Sequence, residues 1–211
     1  MITNASKQTI ARANIYSFLA TAFSYPSQEV IEELDKALPL ITMDIPNEKQ
    51  NNDFLQSLVR LRQAMERTEG RQTIQAEYSL LFAGKDKLKL SEVDDEKTGA
   101  DLAQRLADIS AYYLAFGLQV APGTGERLDF ISTEADFLHA LLLKRRHAEQ
   151  QGWAEQADIC IKAEAGFLKE HILWWMPRLA QMLIEHRGFY GALGTLLLAF
   201  LQEEQAHCGD G

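Results

Sequence analysis

Apolar residues recur along this chain at intervals of three and four residues, the spacing of one buried helix face. Ile15, Phe18 and Ala22 follow this spacing, which stops at Tyr25-Pro26. Ser27 then predicts the N-cap of a short helix that ends before Pro39. The same spacing predicts further helices around Phe54, Leu58, Leu61 and Met65; Leu102, Leu106, Ile109, Tyr113 and Phe116, closed by Gly117; Phe130, Phe137, Leu138, Leu141 and Leu142; Ile161, Leu168, Ile172 and Trp175; and Tyr190, Leu193, Leu197 and Leu201.

Alternation of apolar and polar residues, the pattern of a half-buried strand, does not stand out anywhere along the chain. We therefore predict an all-α fold of about eight to ten helices. Residues 85–99 are highly charged and predict an exposed loop. Residues 117–126 hold three glycines and a proline, which predicts a hinge.

The hinge divides the chain into an N-terminal helical subdomain, 1–116, and a C-terminal helical subdomain, 129–211, joined by residues 117–128. We expect the two subdomains to pack against each other. A hinge of this kind also allows helices to be exchanged between protomers, so a homo-oligomer is a further expectation.

Charge narrows the choice of partners. The 211 residues carry a formal net charge of −9, which disfavours nucleic acid and anionic membrane surfaces and suits a basic partner. The longest nearly apolar run, 189–201, is shorter than the roughly 20 residues of a membrane-spanning helix. The N-terminus lacks the pattern of a signal peptide, and two isolated cysteines indicate reduced thiols. We expect a cytoplasmic protein without stable membrane insertion.

Enzymatic motifs are weak. No phosphate-binding loop of the G-x-x-x-x-G-K-[ST] type and no G-x-S-x-G elbow occurs in the sequence. Two carboxylate-x-x-His units, Asp136 with His139 and Glu204 with His207, are spaced like the ligands of dimetal helical bundles. A metal-dependent helical-bundle enzyme therefore stays an alternative, as does a generic helical interaction module.

Two carboxylates stand out near the start of one predicted helix. Glu134 falls on the apolar face of that helix, where a carboxylate should be paired or hydrogen-bonded because burying it alone is costly. Asp129 directly precedes the helix and predicts its N-cap. These residues form either a cap with a structural ion pair or an acidic docking point beside an apolar surface.

Three sets of motifs follow one known pattern. Residues 76–84, AEYSLLFAG, are similar to the Y-x-x-L-F-x-G segment of the TorD/DmsD/NarJ family of redox-enzyme maturation chaperones. Residues 126–138, ERLDFISTEADFL, resemble its E-P-x-D-H-x-x-x-E-x-x-F-[LM] signature. Residues 167–171, 175–177 and 189–190 resemble its closing F-x-x-x-H, W-x-P and F-Y pattern. The order agrees over most of the chain, and the TorD branch is the most similar.

The resemblance implies an all-α, non-catalytic protein that binds a cofactor-free molybdoenzyme and its twin-arginine signal peptide. For the TorD branch the client is trimethylamine N-oxide reductase. The chaperone assists insertion of the molybdopterin guanine dinucleotide cofactor and delays export until the client has folded. It holds no stable cofactor itself. A weak GTP site is an open suggestion, with Gly123, Gly125 and Arg127 as candidates.

Eight positions carry over as partner-binding residues: Tyr78, Leu81, Phe82, Gly84, Glu126, Asp129, Phe130 and Glu134. Two neighbours depart from the signature, since Arg127 stands in place of its proline and Phe130 in place of its histidine. A twin-arginine peptide carries two arginines followed by an apolar stretch. A carboxylate cluster beside an apolar groove would suit both parts of it.

Overall fold

The computed structural model describes residues 4–43, 52–67, 71–83, 87–92, 94, 102–120 and 127–209. Over these residues the chain forms nine α-helices and two π-helical turns, without a strand, which confirms the all-α prediction. The helices are α1 (Asn4–Phe23), α2 (Gln28–Met43), α3 (Asn52–Arg67), α4 (Arg71–Tyr78), α5 (Leu102–Ala115), α6 (Ile131–Gln151), α7 (Ala154–Phe167), α8 (Met176–Ile184) and α9 (Phe189–Gly209). The π-helical turns are Ser79–Ala83, which extends α4, and Leu168–Ile172, which extends α7.

The predicted boundary between α1 and α2 is confirmed, but the end of α2 is not. Ser27 caps α2, because its Oγ accepts the backbone N–H of Val30 at 3.3 Å. The helix then continues through Pro39 to Met43 instead of ending before the proline. Leu38 and Ile41 are buried, and their burial holds the last turn although Pro39 cannot donate a backbone hydrogen bond.

The apolar faces of α3 and α9 lie in the core as predicted. On two other helices, one residue that was predicted to be buried is exposed. Leu102 is 50% exposed at the start of α5, and Ile161 is 40% exposed on α7. The predicted long helix through Ile161 and Trp175 is divided, because the π-helical turn at 168–172 adds a residue to one turn and rotates the buried face.

The prediction of an exposed loop over 85–99 is wrong for residues 90–92. Leu90, Ser91 and Glu92 are buried. Their backbone pairs antiparallel with the segment before α6: the Glu92 N–H donates to the Asp129 carbonyl at 3.0 Å, and the Ile131 N–H donates to the Leu90 carbonyl at 2.9 Å. This pairing brings a charged segment onto the start of α6.

Helices from both halves of the chain share one hydrophobic core. The long helix α1 packs along α6, while α9 packs between α3 and α8. Residues 121–126 of the predicted hinge lie outside the described residues, so the division into subdomains stays a prediction. Among the described helices, none combines the length and the apolarity needed to cross a bilayer.

Candidate functional site

Three carboxyl groups lie buried where the segment 87–92 meets the start of α6. Glu92, Asp129 and Glu134 each have an exposed fraction of 0%. Glu92 and Asp129 are joined through the backbone pairing, and both act electrostatically on Glu134, one turn into α6. We call these three residues the buried acid cluster.

Both carboxylate oxygens of Glu92 have donors from other elements. Arg105 of α5 donates from Nη1 to Oε1 at 2.5 Å, and the Trp174 indole N–H donates to the same oxygen at 3.0 Å. His171 Nδ1 lies 3.1 Å from Oε2. The Arg105 guanidinium also stacks over the Trp174 ring, 4.5 Å from its centroid. Glu92 thus links α5 and the π-helical turn at 168–172 to the segment 87–92.

Asp129 is paired with Arg127 in bidentate fashion. Arg127 donates from Nε and Nη2 to the two Asp129 oxygens at 3.0 and 2.8 Å, and from Nη1 to Asp94 at 2.8 Å. The prediction that Asp129 caps α6 is wrong. Phe130 occupies the N-cap position, with extended backbone, and its side chain has no acceptor that could cap the helix.

Arg127 also bears on the guanine nucleotide suggestion. Its three guanidinium nitrogens all donate to carboxylates, so a phosphate would have to compete with Asp94 and Asp129. Gly123 and Gly125 lie outside the described residues. A nucleotide site at this position stays a prediction.

Glu134 is buried as predicted, but no basic side chain pairs with it among the described residues. The Glu92 carboxyl and the Trp175 indole are its polar neighbours, and neither makes a hydrogen bond of regular geometry to its oxygens. Burial raises the pKa of Glu134 well above its usual range, and Glu92 and Asp129 raise it further, while Trp175 acts in the opposite direction. The raised pKa favours the protonated form of Glu134, which avoids the cost of a buried charge.

Replacing Glu134 with Gln is expected to stabilise the protein at pH 8 by about 1–2 kcal/mol. Above the unfolded-state pKa the unfolded chain releases this proton, whereas the folded chain retains it. The free energy of unfolding therefore falls as pH rises towards the folded-state pKa. Glutamine does not ionise, so its advantage should grow between pH 5 and pH 8 in urea denaturation.

Glu66→Gln is the matched control for this experiment, because Glu66 is exposed on α3 and pairs only across one helical turn with Arg62. Its stability relative to the parent should be nearly independent of pH in the same range. A Glu134→Gln variant that is less stable than the parent at pH 8 would show that the carboxyl group is ionised and usefully paired.

The aromatic residues of the Y-x-x-L-F-x-G motif lie away from the buried acid cluster and pack against the start of α9. Leu81 and Phe82 are buried in the core, and Tyr78 is half-buried. Ring centroids of Phe82 and Tyr190 lie 5.1 Å apart, and those of Tyr78 and Phe82 lie 5.0 Å apart. Gly84 and, from the second motif, Glu126 lie outside the described residues. The structure shows a packing role for the aromatic residues, and their role in partner binding stays a prediction.

The dimetal alternative is not supported. Glu204 accepts hydrogen bonds from Arg12 Nε at 2.5 Å and from Tyr16 at 2.8 Å, so its carboxylate belongs to a buried ion pair. His139 faces the Ala13 carbonyl, and His207 faces the Glu203 carbonyl. Within the described part of the chain, no cluster of His, Cys, Asp and Glu is arranged to hold a metal ion.

A groove of about 680 Å³ opens to solvent beside Glu92. Asp108 and Glu170 are exposed carboxylates on its rim, and they accept hydrogen bonds from the neutral side chains of Gln104 and Tyr112. Its lining residues are Gln104, Arg105, Asp108, Lys169, Glu170, His171 and Trp174. We call it the α5 groove.

Sequence reasoning missed Glu92, Arg105 and Trp174. Glu92 lies in a run of charged residues that resembles any solvated loop, and Arg105 lies on the polar face of a predicted helix. His171 was marked only as part of the closing F-x-x-x-H pattern. The proximity of these residues depends on the pairing of 90–92 with 129–131, which has no local sequence signal.

The fold and the site together define an all-α protein with an open groove beside a buried polar cluster. The chain belongs to the nitrate reductase delta subunit family, whose pattern its residues 47–181 match. This confirms the predicted family.

Several curated relatives are named "Chaperone protein TorD". The protein from Vibrio cholerae serotype O1 (strain M66-2) is 26% identical over 94% of this chain and 92% of its own length. Those from Aliivibrio fischeri (strain ATCC 700601 / ES114) and Vibrio vulnificus (strain YJ016) are 26% and 27% identical, over 90% of this chain and 91% and 90% of their own lengths. These relatives are named as chaperones and not as enzymes. No solved structure matches the chain.

Proposed function

We propose that this protein is a maturation chaperone for a molybdoenzyme, with trimethylamine N-oxide reductase as its client. It binds the cofactor-free enzyme and its twin-arginine signal peptide in the cytoplasm, assists insertion of the molybdopterin guanine dinucleotide cofactor, and delays export until folding is complete. Relatives named TorD that align over nine-tenths of the chain support the chaperone role.

The α5 groove is the observation that carries the peptide-binding part of this proposal. Asp108 and Glu170 lie on its rim, where each can pair with an arginine of the peptide. Trp174 provides an aromatic surface for stacking a guanidinium or packing an apolar residue. The net charge of −9 favours the approach of a basic peptide, although Lys169 adds a positive charge to the rim.

In this proposal the buried acid cluster holds the walls of the groove. Asp129 and Glu134 are fully buried, and Glu92 already binds donors from α5 and from the π-helical turn. Substitutions at Asp129 should therefore act on peptide binding through the shape of the groove.

Isothermal titration with a synthetic twin-arginine signal peptide of trimethylamine N-oxide reductase should give saturable binding. Removing both rim charges, Asp108→Asn with Glu170→Gln, should weaken binding by about tenfold, since each arginine–carboxylate pair contributes about 1 kcal/mol or less at an exposed site. Raising the salt concentration should weaken binding to the parent protein, and less so to the double variant.

The matched control removes two carboxylates of the same types from exposed helix pairs elsewhere, Asp158→Asn with Glu66→Gln. This control should bind like the parent. Equal affinities for the rim variant and the control would exclude the α5 groove as the peptide site. Co-purification with cofactor-free and cofactor-loaded enzyme tests the chaperone role separately, and preference for the cofactor-free form is the expected result.

A further inference from the structure

Helix α5 is held to the protein by side chains on one face. Ile109 and Tyr113 enter the core, and Tyr112 and Tyr113 make ring contacts with Phe137 of α6 and Phe167 of α7. Its outer face exposes Leu102 and Leu114. Three polar side chains anchor it: the Tyr113 hydroxyl donates to the Leu128 carbonyl at 2.8 Å, the Tyr112 hydroxyl donates to Glu170 at 3.1 Å, and the Arg105 guanidinium lies between Glu92 and the Trp174 ring.

A carboxylate beside a tryptophan face is a receptor for a guanidinium group, because it offers charge pairing and cation–π stacking together. Glu92 supplies the charge from a fully buried position, and the Trp174 indole N–H fixes the orientation of its carboxylate at 3.0 Å. The Arg105 side chain is 26% exposed, so this receptor opens to solvent through the α5 groove.

Arg105 does not satisfy this receptor fully. It donates to Glu92 through Nη1, whereas its Nε is buried without a hydrogen-bond partner among the described residues. His171 Nε2, in a side chain only 3% exposed, also has no partner within the described part of the chain, although the residue lines the same groove. Two buried polar atoms beside an open groove indicate a site that its internal occupant fills incompletely.

We infer that Glu92, Trp174 and His171 form an arginine-binding pocket, which α5 occupies with its own Arg105 and which an arginine of the client peptide takes over. The inference rests on the proposed function, since it assigns the peptide's arginine to this pocket. On α5 a single arginine, Arg105, precedes the buried residues Ile109 and Tyr113.

Charge favours the exchange. With Arg105 in place, the groove holds Arg105 and Lys169 against Asp108 and Glu170, in addition to the buried Glu92. Once Arg105 leaves, three carboxylates face one lysine. This excess of negative charge matches a ligand with two adjacent arginines, one in the pocket and one at the rim.

If the peptide's arginine has to displace Arg105, then Arg105 lowers the apparent affinity for the peptide. Only molecules in which α5 has released Arg105 from the pocket can bind the peptide. Arg105→Gln should therefore raise the affinity for the twin-arginine peptide by about threefold or more in isothermal titration. Arg62→Gln is the control, because it removes an exposed arginine of α3 from a single helix pair. Its affinity should equal that of the parent.

Hydrogen–deuterium exchange on the unmodified protein gives a second readout that needs no variant. Saturating twin-arginine peptide should increase exchange in the amides of α5 and leave α9 unchanged. A peptide with both arginines replaced by lysine should bind more weakly and leave α5 protected, because lysine cannot reproduce the planar contact with Trp174.

Three results would overturn the displacement model. They are an unchanged or lower affinity of a folded Arg105→Gln protein, unchanged or stronger protection of α5 with peptide bound, and no binding of the peptide to any variant. If the rim variant loses affinity while α5 stays protected, the proposed function stands and the pocket does not. If no peptide binds, co-purification with the cofactor-free enzyme decides the chaperone role on its own.

Discussion

Replacing Arg12 with Leu is expected to lower the free energy of unfolding by about 3–5 kcal/mol. Arg12 lies on α1 and is 8% exposed. It pairs with Glu204 of α9, donating from Nε at 2.5 Å and also from Nη2, and with Glu164 of α7 at 2.5 Å. Removing the guanidinium leaves two buried carboxylates without their main partner. The cost of these charges, rather than the loss of one attractive pair, sets the size of the effect.

A second substitution tests this explanation by urea denaturation. Adding Glu204→Gln to Arg12→Leu should restore part of the loss at pH 7, because it removes one unpaired charge.

Arg62→Leu serves as the control, since Arg62 pairs with Glu66 on the surface of α3 at 3.0 Å. Exposed pairs of this kind contribute about 0.5 kcal/mol or less. If Arg12→Leu costs no more than Arg62→Leu, or if adding Glu204→Gln restores none of the loss, the buried network does not stabilise the packing of α1 against α7 and α9.

Helices with one continuous buried face were predictable from sequence. Leu58 and Leu61 of α3, and Leu193 and Leu197 of α9, repeat at the spacing of a single face and are buried as expected. The pattern failed where burial is interrupted. Leu102 begins α5 beyond the reach of the core, although its spacing continues that of Ile109. The spacing of apolar residues shows which face of a helix is buried. It does not show how far along the helix the neighbouring element extends.

The candidate site was only partly predictable for a related reason. Glu134 could be found because a carboxylate on an apolar stripe contradicts its local pattern. Glu92 could not, because its neighbours in sequence are charged and only the pairing with the segment before α6 buries it. Asp129 was expected to cap α6, but local propensity does not include the competing Arg127 two residues earlier. A contact between distant segments buries Glu92, whereas a local ion pair engages Asp129.

Substituting Ala for Gly194 is expected to destabilise the protein by about 2–3 kcal/mol through overpacking where α8 crosses α9. An added Cβ would lie 2.6 Å from the Leu183 Cβ and 2.9 Å from the Ala180 carbonyl oxygen. Both contacts belong to the framework of α8, so relief requires the two helices to separate. That separation would loosen the buried packing of Leu183 and Leu193, and the loss should appear as a lower urea midpoint with an unchanged m-value.

Gly166→Ala makes the same substitution inside α7, where the added Cβ would meet the Tyr112 side chain, nearest at its hydroxyl, 2.6 Å away. Shifting this hydroxyl costs its exposed hydrogen bond to Glu170, whereas alanine favours the helix by about 1 kcal/mol over glycine, so this control should be nearly neutral. Both variants gain the helix propensity of alanine. The difference between their free energies of unfolding therefore reports the rigid contact where α8 crosses α9. Equal stabilities would mean that α8 and α9 adjust to a methyl group at small cost, and that Gly194 is not needed for their close approach.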